Sequence, residues 1–360
     1  MKVLILTDEL YPYHIGGAGV VASQTAQTLI GRNISCTIMC SNPKKTLLRK
    51  LYNILWPFWG AFTFIFSLLK NNNDVIVVND LRSAYILGVI GTKKILNKVV
   101  YIVHGTEIDI VYKKRSKKNS LILISFFYSR FLSRCKKVIF VSQYVASRTQ
   151  NELVQQGVKL KKEVVSYAGL NADMLDFAMQ IPVLNTKDVS TIRLVSFSRL
   201  ERRKGYLTMM TIFEAMLERG ADLIWDIYGT GRLESDIVKE IKDKGLEKRI
   251  RIKGMIDRGS ITSHINPTNY DAYWLLPIEP EAFGLTFIES AAIGLPAIGP
   301  MKYGITEAIG NNVSGFFYED PEKLVSDLEK IKANKEYYMI TCKNWALKFK
   351  ASNFIDDILN

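Results

Sequence analysis

Residues Glu279 to Pro300 read EPEAFGLTFIESAAIGLPAIGP. The mainly apolar run Leu285 to Ile293 has the length of a short helix. Gly294 followed by Pro296 is a stop signal, because glycine takes the left-handed conformation that ends a helix and proline cannot continue one. Ala272 to Leu276 before it and Ala297-Ile298 after it have the apolar character of buried strands. Strand, loop, helix, strand is the parallel βαβ unit, which points to an α/β fold class. Glu281 lies at the helix entrance and Glu289 about two turns further in. The backbone N–H groups of Phe283, Gly284 and Leu285 can donate to an anionic or hydroxyl-rich ligand, since the first turn of a helix leaves them without an internal partner. Glutamates beside a helix N-terminus also complement the helix dipole, and Glu279 and Glu281 are open to that simpler reading.

The same rhythm extends outward over the whole chain. In the first half, apolar strands at Val3–Leu6, Ser35–Met39, Val75–Val78, Val99–Val103 and Val138–Val141 alternate with helical patterns, the first from about Gly19 to Ile30. After a polar break near Ser166 to Ser190, with Gly169 and Pro182, it restarts at Ile192–Phe197, Leu223–Tyr228 and Ile250–Ile252. A chain of 360 residues without an internal repeat is long enough for two domains. Two doubly wound, Rossmann-like domains in tandem are expected. Ligands would bind at the carboxyl ends of the parallel strands, in the cleft between the domains.

Loops that follow strands carry the candidate ligand groups. Gly17-Ala18-Gly19-Val20-Val21-Ala22 fits G-x-G-x-x-A. However, about ten residues separate it from its strand, and Ile34 to Asn42 holds no acid for a ribose, so a dinucleotide fingerprint is excluded. Gly16-Gly17 remains a turn whose amides can approach a phosphate, because no side chain intervenes. In Ser198 to Gly205, SRLERRKG, Arg199 offers a planar fork and Lys204 a point charge, a pair suited to a diphosphate; a basic loop in a basic protein is the plainer reading. Tyr228-Gly229-Thr230-Gly231 suits ligand contact and a simple strand-to-helix turn equally. His104, one of three histidines, ends Val99–Val103, a position suited to substrate contact, with a capping or core role as the alternative.

The net charge of +13 is unevenly placed. Residues 1–165 hold 24 Lys and Arg against 8 Asp and Glu, whereas residues 166–360 hold 24 against 27. An anionic membrane surface, nucleic acid or plain solvation would suit the basic half. Nucleic acid is disfavoured because the aromatic residues cluster in apolar runs instead of alternating with arginine. Leu51 to Leu69, LYNILWPFWGAFTFIFSLL, carries no charge, yet it lies between strands of one sheet, which excludes a membrane span. Its apolar residues go all round a helix, and Lys44, Lys45, Arg49, Lys50 and Lys70 flank it. In-plane membrane contact, aided by the basic run Lys113 to Lys118, is expected, against a core helix under a long loop. Val3 to Leu6 is too short for a secretory signal, so a cytoplasmic start is expected. Cys36, Cys40, Cys135 and Cys342 lack metal-ligand spacing and are expected to be buried thiols. No D-x-D string or His/Asp cluster calls for a divalent ion.

Together these segments resemble the retaining glycosyltransferases of family four, which have the GT-B fold, over nearly the whole chain and with the motifs in order. Glu281 and Glu289 match that family's E-x7-E motif, and Arg199 to Gly205 is similar to its G-R-x4-K-G segment. Gly16-Gly17 resembles its N-terminal glycine loop, Tyr228 to Gly231 its G-x-G-P segment, and His104 to Glu107 its H-G-x-D/E motif. The resemblance implies transfer of a sugar from a nucleotide-diphosphate sugar to a glycan or glycolipid acceptor, with retention and without metal or other cofactor. It implies catalytic roles for His104 and Glu281, and diphosphate binding by Arg199 and Lys204. It also implies donor contact through Gly16, Gly17, Gly229 and the amides of Phe283, Gly284 and Leu285, and a ribose contact by Glu289.

The expected division is an acceptor-binding domain over 1–168, a donor-binding domain over 169–344 and a C-terminal helix over 345–360 that crosses back to the first domain. A membrane-facing first domain suits a lipid-linked acceptor in the synthesis of a cell-surface polysaccharide such as lipopolysaccharide or capsule. The protein would then be peripheral on the inner face of the cytoplasmic membrane. The chain departs from the family at Ala168-Gly169-Leu170-Asn171, where N-G-[VI]-D is usual, and at Tyr303-Gly304, where two glycines usually precede Ile305. A nucleotide-sugar epimerase or hydrolase on the same fold and a non-catalytic binding subunit are the competing readings.

Overall fold

The computed structural model describes residues 1–11, 16–40, 72–113, 122–170, 172–180, 190–257 and 260–360. Leu51 to Leu69 with its flanking cations, the basic run from Lys114 to Lys118, and Asn171 lie outside the described residues. The chain forms two compact units, Met1–Gly169 with Ala351–Asn360, and Leu170–Lys350.

In the first unit, β1 (Lys2–Thr7), β2 (Ser35–Cys40), β3 (Val75–Val78), β4 (Val99–Val103), β5 (Lys137–Phe140) and β6 (Glu163–Val165) form a parallel sheet in the order β2-β1-β3-β4-β5-β6. Val75–Val78 and Val99–Val103 are buried along their whole length. Continuous Val and Ile runs of this kind mark strands covered on both faces. The intervening helices are α1 (Gly17–Gly31), α2 (Leu81–Ile90), α3 (Lys93–Leu96), α4 (Ile124–Arg134) and α5 (Gln143–Gln155). The side chains of Asp80 and Ser142 cap α2 and α5, accepting from the amides of Ser83 and Val145.

The second unit repeats the plan. β7 (Ile192–Phe197), β8 (Leu223–Tyr228), β9 (Ile250–Ile252), β10 (Ala272–Trp274), β11 (Ala297–Pro300) and β12 (Gly315–Tyr318) form a parallel sheet in the order β12-β11-β10-β7-β8-β9. Its helices are α6 (Ala172–Gln180), α7 (Tyr206–Glu218), α8 (Glu234–Asp243), α9 (Ile261–His264), α10 (Leu285–Ala292), α11 (Ile305–Ala308), α12 (Pro321–Ala333) and α13 (Lys335–Ala346). Trp225 and Trp274 are fully buried and meet edge to face at 4.7 Å. Ser196 links them, its hydroxyl accepting from Trp225 Nε1 at 2.9 Å and donating to the Trp274 carbonyl at 2.5 Å. After Lys350 the chain enters the first unit as α14 (Ala351–Leu359), which packs on α1 and ties to it through Arg32 and Asp356 at 2.5 Å.

Each sheet reverses its strand order once, between β1 and β3 in the first and between β7 and β10 in the second. At such a point the connections leave the carboxyl edge in opposite directions and open a crevice for ligands. Sequence patterning predicts neither β6 nor β12. β6 is a three-residue edge strand next to Lys161 and Lys162. β12 opens on Gly315, which reads as a turn, but a Cβ there would lie 1.9 Å from the Ala297 carbonyl, so the residue is needed for close strand approach. Cys135 and Cys342 are buried and burial pushes both thiols up, that of Cys135 to about 12, whereas Cys36 and Cys40 on β2 are only half-buried.

Candidate active site

The carboxyl end of β7 leads into the loop that carries Arg199 and Lys204. Leu200 is fully buried and anchors it; its amide donates to the Thr230 carbonyl at 3.0 Å, and its carbonyl accepts from Leu233 N at 3.0 Å. Gly229 and Gly231 make this approach possible, because added Cβ atoms would sit 2.0 Å from the Ser198 carbonyl and 2.2 Å from that of Leu200. Gly229 therefore has a packing role whatever it binds. Arg202–Lys204 form a turn of 3₁₀ helix, Gly205 takes φ +79°, and α7 starts at Tyr206. A Cβ on Gly205 would lie 2.0 Å from the Leu276 carbonyl, and the Arg203 carbonyl accepts from Ile278 N at 3.0 Å. The cationic loop after β7 is thus clamped, backbone to backbone, on the segment after β10 that leads to Glu281.

The charges alternate along this contact. Lys204 Nζ lies 2.6 Å from Glu281 Oε1, and Arg203 Nη1 3.2 Å from the same oxygen. Arg203 Nε and Arg199 Nη1 each lie 2.9 Å from Glu201, on opposite oxygens. Three cations therefore share two carboxylates, and the cluster keeps a positive excess. Burial pushes the Lys204 pKa down against the pull of Glu281. Burial pushes Glu201 up, but its bond to Arg203 and the charges of Arg199, Arg203 and Lys204 outweigh this and hold it below the usual carboxylate range. Arg199 and Lys204, the pair suited by sequence to a diphosphate, lie in this one cluster. They are interleaved with Glu201 and Glu281, and Arg203, which the motif does not single out, joins both acids.

Glu281 lies at the entrance of α10, before its N-cap, as the sequence suggests. Gly284 takes φ +98° as the N-cap of α10, which starts at Leu285. Phe283 is 3% exposed, and its ring lies 5.4 Å from that of Phe349. Gly304 N donates to the Glu281 carbonyl at 3.1 Å, and a Cβ on Gly304 would lie 2.0 Å from the Ala282 carbonyl. Tyr303, where a glycine is usual in the resembled family, takes φ +60°, at a cost of about 1 kcal/mol for a side chain in the left-handed region. The glycine that remains is the one the packing demands. Glu289 sits inside α10 and is 2% exposed.

In the first unit, His104 follows β4. Its Nε2 lies 3.0 Å from Asn79 Oδ1, at the end of β3. Asn79 Nδ2 donates to the Ala18 carbonyl at 2.8 Å, in the first turn of α1, and to Thr7 Oγ1 at 3.2 Å. One buried amide thereby joins His104 to the helix start at Gly16 and Gly17. Gly16 is the N-cap of α1, and nothing lies within 4 Å of where a Cβ on Gly17 would be. The Glu107 carboxylate accepts from the amides of His104 at 2.8 Å and Gly105 at 2.6 Å, which fixes the turn. Burial pushes the His104 pKa down to about 4, so the ring is neutral at physiological pH. Asn79 escapes a motif search because it is a single residue whose partners come from three separate elements.

Two family models cover these units. The one described as Glycosyl transferases group 1 matches residues 181–346, and the one described as Glycosyltransferase Family 4 matches residues 15–169. The chain belongs to the family-four glycosyltransferases. An uncharacterized 41.2 kDa protein in the cps region of Klebsiella pneumoniae is 22% identical to this glycosyltransferase over 329 residues, covering 87% of this chain and 86% of the relative. The amylovoran biosynthesis glycosyltransferase AmsK of Erwinia amylovora is 23% identical over 230 residues; the match covers 62% of this chain and about half, 52%, of AmsK. The crystal structure of Anabaena HepE in complex with UDP has a TM-score of 0.69 at 19% identity, covering 100% of this chain and 98% of that one. The two parallel sheets with their flanking helices are the GT-B fold.

The clamp at Gly205 has a measurable cost if it is disturbed. Gly205→Ala meets both the left-handed backbone and the Leu276 carbonyl, and should lower unfolding stability by about 2 to 3 kcal/mol in urea titration. A loss below about 0.5 kcal/mol would mean that the two loops are not held together at this point.

Proposed function

We propose that this glycosyltransferase moves a sugar from a nucleotide-diphosphate sugar to a glycan or glycolipid acceptor with retention of configuration. The observation that carries the reading is the cationic cluster of Arg199, Arg203 and Lys204, clamped at the strand-order reversal beside the α10 N-terminus. In the reaction the bond from sugar C1 to the diphosphate oxygen breaks, leaving positive charge on the ring and negative charge on the departing phosphate. Arg199 and Lys204 meet that negative charge without a divalent ion, and each fixed donor of this kind contributes roughly 10²–10³ in rate. The acceptor oxygen attacks from the same face, and its proton passes to the departing phosphate oxygen, so no protein base is needed.

Glu281 and the amides of Phe283, Gly284 and Leu285 hold the donor sugar, Glu289 the ribose, and Gly229 the nucleobase side of the site. Gly16 and Gly17 approach the diphosphate. His104, neutral, contacts the sugar. The UDP bound to HepE makes UDP-sugars the first donors to test, and the amylovoran biosynthesis named for AmsK, with the cps region named for the Klebsiella pneumoniae relative, supports a cell-surface polysaccharide as product. The basic first half and the uncharged run Leu51 to Leu69 support in-plane contact with a membrane and a lipid-linked acceptor. Among the described residues no helix is long and apolar enough to cross a membrane.

A thermal-shift screen of UDP-, GDP- and ADP-sugars should find one stabilising donor, with binding weakened at least tenfold by Arg199→Ala. Glu281→Gln should mainly lower kcat and Glu289→Ala mainly raise the donor Kd. If no nucleotide sugar binds, the donor chemistry is wrong; sugar released without acceptor at the transfer rate would favour a hydrolase. Transfer should persist in excess chelator, and complete loss would require a metal. Vesicles containing anionic lipid should carry the protein in flotation at low salt and release it at high salt. Absence from the floated fraction at low salt would remove the membrane from the proposal.

A further inference from the structure

We infer that Asn79 is a positioning residue that holds His104 as the Nε2-protonated tautomer, so that the ring meets a ligand hydroxyl through the lone pair on Nδ1. The ligand half of this inference rests on the proposed sugar transfer; the tautomer half does not.

The hydrogen-bond partners fix the orientation of the Asn79 amide. The Ala18 carbonyl can only accept, so the Asn79 atom 2.8 Å from it has to be the NH₂ nitrogen. The same nitrogen lies 3.2 Å from Thr7 Oγ1, whose own hydrogen is given to the Glu9 carbonyl at 2.6 Å, leaving that hydroxyl as an acceptor. Both amide hydrogens are therefore used, and the atom facing His104 Nε2 at 3.0 Å is the carbonyl oxygen. Reversing the amide would place oxygen against the Ala18 carbonyl and nitrogen against the imidazole, losing a hydrogen bond at a site where Asn79 and Thr7 are both fully buried. An oxygen at Nε2 requires that this nitrogen carry the hydrogen. With a neutral ring, Nδ1 then holds a lone pair and no hydrogen.

This assignment restricts what the imidazole can recognise. A group facing Nδ1 has to bring the hydrogen itself, which a sugar hydroxyl does and a phosphate oxygen, ether or carbonyl does not. His104 is accordingly a hydroxyl reader and supplies no charge to the departing phosphate, a task left to the cations of the second unit. Asn79 lies at the strand-order reversal of the first sheet and bonds the start of α1, so displacement of either element would be felt at the ring.

Long-range ¹H–¹⁵N spectra of the full chain at pH 7, with His104→Gln to assign the resonances, decide the tautomer. A pyrrole-type Nε2 and a pyridine-type Nδ1 are expected; a protonated Nδ1, or averaging between the two forms, overturns the inference. Asn79→Leu should release the tautomer and lower kcat/KM for the sugar donor about tenfold or more while leaving the Kd for free UDP unchanged. Asn79→Asp, which keeps an oxygen at Nε2, should restore the pyrrole-type signal. A 2- to 6-deoxy series of the donor should contain one member on which Asn79→Leu has no further effect, and equal effects on all members overturn the hydroxyl assignment. Should no nucleotide sugar bind while the wild-type spectrum shows Nε2–H, the positioning role stands and the sugar-transfer reading falls; the wild-type spectrum alone is enough if the variants do not fold.

Discussion

An ammonium group taken out of water has to be paired, and the bond from Lys204 to Glu281 meets that requirement at the most constrained point of the second unit. Lys204 is 8% exposed, and an unpaired buried charge would cost several kcal/mol. Pairing is possible only because two backbone segments touch. Gly205 admits the Leu276 carbonyl, and the Arg203 carbonyl takes the Ile278 amide. The glycines around the loop follow from the same need for close approach: Gly229 and Gly231 lie on the Ser198 to Leu200 backbone, and Gly304 on Ala282. The loops at this edge are therefore held by main-chain contact, which leaves the side chains of Arg199, Arg203 and Lys204 to carry charge.

A cluster with more cations than acids carries a positive potential that favours an anionic ligand. Glu201 and Glu281 keep the three cations close together, and any anion drawn to them would compete with carboxylates instead of with bulk water. The first unit has a different character. Its carboxyl edge at β3 and β4 is organised by neutral hydrogen bonds through Asn79, and its histidine is kept uncharged by burial. The two sheets share a winding plan but present different chemistries, ionic on one and neutral on the other.

How much of this was legible in the sequence depended on the range of the signal. Buried parallel strands announce themselves as continuous Val, Ile and Leu runs, so β1, β3, β4, β7 and β8 could be placed to within a residue or two. β6 and β12 could not, since one is a charged three-residue edge and the other begins with a glycine. The short-range spacing in SRLERRKG brought Arg199 and Lys204 forward, and the order of the motifs matched the family. The counterions were not legible, because Glu201 is an ordinary acid in a basic string and the pairing of Lys204 with Glu281 spans 77 positions. Asn79 was silent for the same reason: its role consists of contacts to β1, α1 and the end of β4.

The return of the chain through α14 bears on the order of events during synthesis. Residues 170–350 are continuous and can close their own sheet as soon as they have left the ribosome. The first unit can also close its sheet early, since β1 to β6 lie within residues 2–165, but the helix that covers α1 is encoded after the whole of the second unit. Val21 on α1 and Phe354 and Ile355 on α14 line one small cavity and are buried in the finished unit, so they have to wait for one another across roughly 330 residues of chain. The half made first is thus the half completed last. During that interval the apolar side chains that α14 will cover stay open to water.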